Sequence, residues 1–177
     1  MKEIEAKILE VDKHKIEEAL SNLGAEKVFD GEIEAFFFDF KDGSIAKRNS
    51  VLRLRKEDER DVLTFKRVVE SEAAKIAEEH SVEVSSLSEA KVILESLGLS
   101  TVESMQKHRT SYQLKGVRFD IDQYMGKYSY IPTFIEIEAE NIELIHRYAE
   151  LLGFKAKDCL PWSVKELINH YSSKKGN

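Results

Sequence analysis

Charged residues recur two apart in this chain on one segment after another, mostly with an apolar residue between them. Glu3, Glu5 and Lys7 alternate with Ile4, Ala6 and Ile8; Arg53 and Arg55 flank Leu54; Asp120 and Asp122 flank Ile121; Glu136 and Glu138 flank Ile137. Successive side chains of a β-strand point to opposite faces, so this spacing sorts charge onto one face and hydrocarbon onto the other. With Lys66, Glu83, Lys107, Arg109 and Arg118 at the same parity, the charged face carries seven basic and seven acidic residues. Such a sheet either lies open with its charges in water or rolls up around them. Solvated faces usually mix Thr, Ser, Gln and Lys; here Arg-x-Arg and Lys-x-Arg sit on some strands, Glu-x-Glu and Asp-x-Asp on others. That segregation favours the rolled form, in which the charges need counter-charges, water or a charged ligand.

The remaining elements fit around this pattern. Strands are predicted over 2–10, 26–40, 51–57, 62–69, 76–84, 101–114, 117–125 and 133–140, with the polar Asp58–Asp61 as a hairpin turn. Helices are predicted between Asp12 and Gly24, from a Ser88 cap to Gly98, from an Asn141 cap to Gly153, and over about 162–171. Strands that follow one another by hairpins imply an α+β fold with a largely antiparallel sheet. Eight strands in one sheet tend to curl or close. The expectation is a closed antiparallel eight-stranded β-tunnel with a charged interior and helices packed outside.

At 177 residues without a Gly/Ser-rich linker, the chain is read as one domain over 1–172, with 173–177 as a disordered tail. A net charge of −6 argues against a general nucleic-acid binder. The single Cys159 excludes an internal disulfide and lends nothing to a zinc cluster. Neither a signal peptide nor a long apolar run is present, so no membrane association and a cytoplasmic location are expected. Five histidines fit neither a zinc helix motif nor a Ser-His-Asp set, and no Gly-rich phosphate loop occurs.

Cations facing carboxylates have a chemical use. Guanidinium groups bind phosphate oxygens through paired hydrogen bonds, and lysine adds point charge. Carboxylates offer the hard oxygens that Mg2+ or Mn2+ prefer.

These residues, in this order, resemble the CYTH family, or triphosphate tunnel metalloenzymes, which include class IV adenylyl cyclases, thiamine triphosphatases and inorganic triphosphatases. The resemblance rests on Glu3-x-Glu5-x-Lys7, on Arg53 and Arg55 in Leu-Arg-Leu-Arg, and on Lys66 in Thr-Phe-Lys. It continues through Lys107, Arg109, Asp122 and Glu136-Ile137-Glu138 to Trp162–Leu167, and so spans nearly the whole chain. It implies a tunnel fold in which Lys7, Arg53, Arg55, Lys66, Lys107 and Arg109 bind a triphosphate. It further implies Glu3, Glu5, Glu83, Asp122, Glu136 and Glu138 as ligands for Mg2+ or Mn2+, with Glu3, Glu5, Lys7 and Asp122 as the catalytic set. Many relatives carry an Arg and a further Glu where this chain has Ala77 and Ser81, and an Asp near Ala35; Glu79 supplies part of the difference. The implied activity is conversion of ATP to 3′,5′-cyclic AMP and pyrophosphate. Hydrolysis of tripolyphosphate, thiamine triphosphate or a nucleoside triphosphate is the alternative, and binding without turnover a third. The implied partner is the small triphosphate itself, with monomer or homodimer left open.

Overall fold

The computed structural model describes residues 2–57, 59–69 and 75–174, without the side chains of residues 2, 3, 69, 75, 76 and 174. The eight expected strands are present: β1 Lys2–Ile8, β2 Glu26–Phe40, β3 Ser50–Glu57, β4 Arg60–Val69, β5 Lys75–Val84, β6 Leu99–Leu114, β7 Val117–Tyr124 and β8 Phe134–Ala139. Four helices accompany them: α1 Lys13–Asn22, α2 Leu87–Ser96, α3 Ile142–Leu151 and α4 Val164–Lys174. All pairings are antiparallel, in the order β1-β5-β4-β3-β2-β6-β7-β8, and β1 pairs with both β5 and β8. The fold is therefore α+β, an eight-stranded antiparallel sheet curled until its last strand lies beside its first.

Two S-x-x-E sequences move helix starts away from the expected positions. Ser86, rather than Ser88, caps α2: its backbone is extended and its hydroxyl accepts from the Glu89 amide at 3.2 Å. Ser163 accepts from the Glu166 amide at 3.3 Å while Glu166 accepts from the Ser163 amide at 2.7 Å, a reciprocal capping box that starts α4 at Val164. The same helix continues to Lys174, so Ser173 and Lys174 are not part of a disordered tail; residues 175–177, like Asp58 of the expected turn, lie outside the described residues. Asp12 and Asn141 cap α1 and α3 as expected.

The outer face of β1, β7 and β8 is covered by α1 and α3. Ile8, Phe119, Ile135 and Ile137 pack there with Leu20 and Ile145, each at most 2% exposed. A second outer cluster sets Leu94 of α2 against Phe38 and Leu54. On the inner face the charged parity of β7 and β8 runs into Tyr124 and Phe134, whose rings stack with centroids 6.0 Å apart. With Ile131, and with Leu167 and Tyr171 of α4, they fill one end of the interior with hydrocarbon. No helix among the described residues is long and apolar enough to cross a membrane.

One buried carboxylate shapes the lip of the interior. Asp39 accepts from the amides of Phe40, Ile45 and Ala46 at 2.7, 2.9 and 3.0 Å, fastening the loop between β2 and β3. These donors hold its carboxyl below the ordinary range against the opposing effect of burial. Asp39→Ala leaves three amides without their acceptor. It is expected to cost about 2 kcal/mol in urea denaturation and to speed hydrogen exchange at Ile45 and Ala46.

Candidate active site

The curled sheet encloses a cavity of about 610 Å3, within the usual range for small-molecule sites. Eleven of its wall residues belong to the charged face read from the sequence: Glu5, Lys7, Arg53, Arg55, Lys66, Lys107, Arg109, Arg118, Asp120, Glu136 and Glu138. Strand register explains the convergence. Across β1, β8 and β7, Glu5 lies opposite Glu138 and Glu138 opposite Arg118; one row along, Lys7 lies opposite Glu136 and Glu136 opposite Asp120.

The charges interlock. Arg109 binds Asp122 through Nε and Nη2, both at 2.6 Å, reaches Asp120 through Nη1, and lies 3.1 Å from Glu136. Glu136 in turn holds Lys7, which is 3.6 Å from Glu5; Glu5 is 3.1 Å from Lys66. On the other side Asp120 accepts from Arg118 at 2.9 Å, and Glu57 pairs with Arg55 at 3.0 Å. Burial alone would depress Lys7 and Arg109, but their carboxylates outweigh it and raise both. Burial likewise works against the charged Glu136, yet Lys7 and Arg109 hold it well below the ordinary carboxylate range.

The β3 corner differs. Arg53 and Arg55 bury their Nε–H groups with no acceptor among the described residues. Burial and the neighbouring Arg53 pull Arg55 down to about 10. Lys107 is lowered to about 8, first by burial and then by Arg109, although it donates to Asp122 at 2.6 Å. This corner has donors in excess, which suits an anion with several oxygens.

Asp122 does not line the cavity. It is fully buried, and its oxygens are taken by Lys107 and Arg109, which hold its carboxyl below the ordinary range despite burial. That arrangement makes it the counter-ion that aims two cations. Glu83 shares the interior parity, opposite Val62, but is exposed and outside the cavity wall. The backbone of Glu3 pairs with Ala77, and its side chain lies outside the described residues. Sequence reasoning placed Asp120 on the charged face without giving it a site role, and left out Asp39, Glu57 and Glu103. Glu103 has the right parity and lines the cavity, so parity alone could have found it.

No group of three Asp, Glu, His or Cys side chains converges as a ready-made metal cage among the described residues. The donor set nonetheless fits Mg2+ or Mn2+, since Mg2+ typically takes one or two carboxylates and completes its shell with water and phosphate oxygens. Glu5, Glu136 and Glu138 present such carboxylates to the cavity from adjoining strands.

Comparison with known proteins follows the same lines. The family model described as the CYTH domain matches residues 1–161. A Methanocaldococcus jannaschii protein provisionally named adenylate cyclase is 28% identical over 138 residues, 78% of this chain and 77% of that protein. A Pyrococcus horikoshii structure superposes with a TM-score of 0.78 at 25% identity, covering 93% of this chain and 98% of the other. A Hippeastrum protein, described as a provisional adenylyl cyclase with a dominant triphosphatase activity, gives a TM-score of 0.64 at 20% identity, covering 86% and 88%.

Two outcomes are expected. Asp122→Ala leaves Lys107 and Arg109 without a shared buried partner and is expected to lower stability by about 3 kcal/mol in urea denaturation. Tripolyphosphate affinity, measured by calorimetry in chelator, is expected to be highest below pH 8 and to fall as pH rises through that value. The sign follows from Lys107, which must be protonated to attract phosphate and loses its proton near 8; Lys107→Met should flatten the profile.

Proposed function

We propose that this chain, which belongs to the CYTH domain family, is a divalent-metal-dependent enzyme that breaks a phosphorus–oxygen bond of a triphosphate held inside the curled sheet. The observation that carries this reading is the pair of buried Nε–H groups of Arg53 and Arg55, which have no acceptor among the described residues and lie beside a cavity walled by further cations. A buried donor without an acceptor is costly, and phosphate oxygens would relieve that cost.

In this reading Arg53 and Arg55 donate to the phosphate oxygens, and Lys66 and Lys107 add point charge from β4 and β6. Arg109 and Lys7, held by Asp120, Asp122, Glu5 and Glu136, present fixed positive charge where negative charge develops, so little reorganisation accompanies reaction. Glu5, Glu136 and Glu138 would hold Mg2+ or Mn2+, with Glu3 of the same strand as a further candidate. The ion would supply charge neutralisation and polarise the phosphate under attack. Asp122 acts through Lys107 and Arg109. The interior then serves as the tunnel expected from the sequence, with α4 across one end.

The leading reaction is adenylyl cyclisation, supported by the name of the Methanocaldococcus relative and by a cavity large enough for a nucleotide. Hydrolysis to orthophosphate is the second reading. It is favoured by the scarcity of stacking surfaces for a base: Tyr124, Tyr128 and Tyr130 pack in or against the apolar end cluster, and of the aromatic rings among the described residues only Phe37, Phe38 and Tyr128 reach the cavity wall.

Incubation with Mg2+ or Mn2+ and ATP, tripolyphosphate or thiamine triphosphate, followed by chromatography, separates the outcomes. Cyclic AMP with pyrophosphate is expected for the first reading and orthophosphate for the second. Arg53→Ala is expected to lower triphosphate affinity at least tenfold with its melting temperature unchanged. Unaltered substrates, or full affinity in that variant, would overturn the proposal.

A further inference from the structure

Beside Arg53 the cavity wall carries a hydroxyl, that of Thr64, only 1% exposed and directly opposite Arg53 in the β3–β4 register. Its Oγ1 lies 2.9 Å from Ser81 Oγ on the next strand, and Ser81 Oγ donates to Glu79 Oε1 at 2.9 Å. The other oxygen of Glu79 faces Lys66 Nζ at 3.6 Å. An ion-paired carboxylate only accepts, and a serine hydroxyl has one proton. Ser81 spends its proton on Glu79, so the bond between the two hydroxyls runs from Thr64 to Ser81. The proton of Thr64 is thereby turned away from the cavity, and its oxygen offers lone pairs alone.

A wall built to bind phosphate is made of donors; an acceptor beside Arg53 repels phosphate oxygens and attracts an O–H. We propose that Thr64 is a catalytic residue that orients the attacking O–H, water or a substrate hydroxyl, with Ser81 and Glu79 as positioning residues that fix its polarity. This rests on the triphosphate reading above. In the step, the nucleophile's oxygen bonds to phosphorus while its proton passes to Thr64 Oγ1. The proton of Thr64 moves to Ser81 and that of Ser81 to Glu79. The electron pair of the breaking phosphorus–oxygen bond leaves with the departing phosphate, and Glu79 releases its proton to solvent beside the exposed Ser81. Thr64 and Glu79 both line the cavity, and the exposed Ser81 that links them gives the proton a route to water.

The polarity gives a signature that a structural hydroxyl pair would not. Ser81→Ala frees the Thr64 proton to swing towards the cavity. It is therefore expected to tighten metal-free tripolyphosphate binding at least fivefold, the worth of one added hydrogen bond, while turnover falls. Thr64→Val, which keeps shape and loses the hydroxyl, is expected to lower kcat about a hundredfold with KM within twofold, and Thr64→Ser to restore most of it. Unchanged or weaker tripolyphosphate binding in Ser81→Ala overturns the polarity, and wild-type kcat in Thr64→Val overturns the catalytic role. A wild-type protein that binds tripolyphosphate yet turns over no triphosphate sinks the reaction and the catalytic role of Thr64 with it, while the Ser81→Ala titration still decides the polarity.

Discussion

Ion pairing around Arg109 is the constraint on which the rest of the structure depends. An arginine only 7% exposed is tolerated because Asp122, Asp120 and Glu136 converge on its guanidinium from two other strands. That convergence fixes how β6, β7 and β8 sit against one another. A one-residue slip in either pairing would turn its acids to the outer face and leave the cation buried alone. From there the network passes through Glu136 to Lys7, through Glu5 to Lys66, and through Asp120 to Arg118, which joins β1, β4 and β7. The charges that suit a ligand are the same charges that set the register.

Charge inside requires hydrocarbon outside, and the helices follow from that. α1 and α3 are amphipathic because they close the apolar outer face of β1, β7 and β8; α2 does the same for β2 and β3. The inner face obeys the opposite rule only as far as charges can be paired. At the last register rows, Tyr124 opposite Lys107 and Phe134 opposite Asp122, the inward positions turn aromatic, and α4 packs there. That change defines where the cavity stops.

Local pairings were legible in the sequence and distant ones were not. β2–β3, β3–β4, β4–β5, β6–β7 and β7–β8 are neighbours in the chain, and their alternation with intervening polar segments predicts each one. The pairings β2–β6, β1–β5 and β1–β8 join segments that no pattern in either strand links, and they bring Lys7 to Glu136 and Lys66 to Glu5. Parity identified most of the charged residues in the cavity wall, but it cannot distinguish a carboxylate facing the cavity from one beneath it. Asp120 and Asp122 share a parity; the first lines the cavity and the second is sealed under Arg109 and Lys107. Glu83 has the right parity on a strand end beyond the cavity. The caps at Ser86 and Ser163 were legible through S-x-x-E, a stronger signal than a lone serine near an apolar run.

The balance of charge in the cavity wall bears on the metal dependence proposed above. Among the described residues that line it, Lys and Arg number eight and Asp and Glu seven. A triphosphate carries several negative charges, and a nearly neutral wall offers it little net attraction, whatever the local excess beside Arg53 and Arg55. Removing the carboxylates would not solve this, because Lys7 and Arg109 would then be buried unpaired. Under the proposed function the missing positive charge would arrive with the ligand, as a divalent cation shared between its phosphates and carboxylates of the wall such as Glu138.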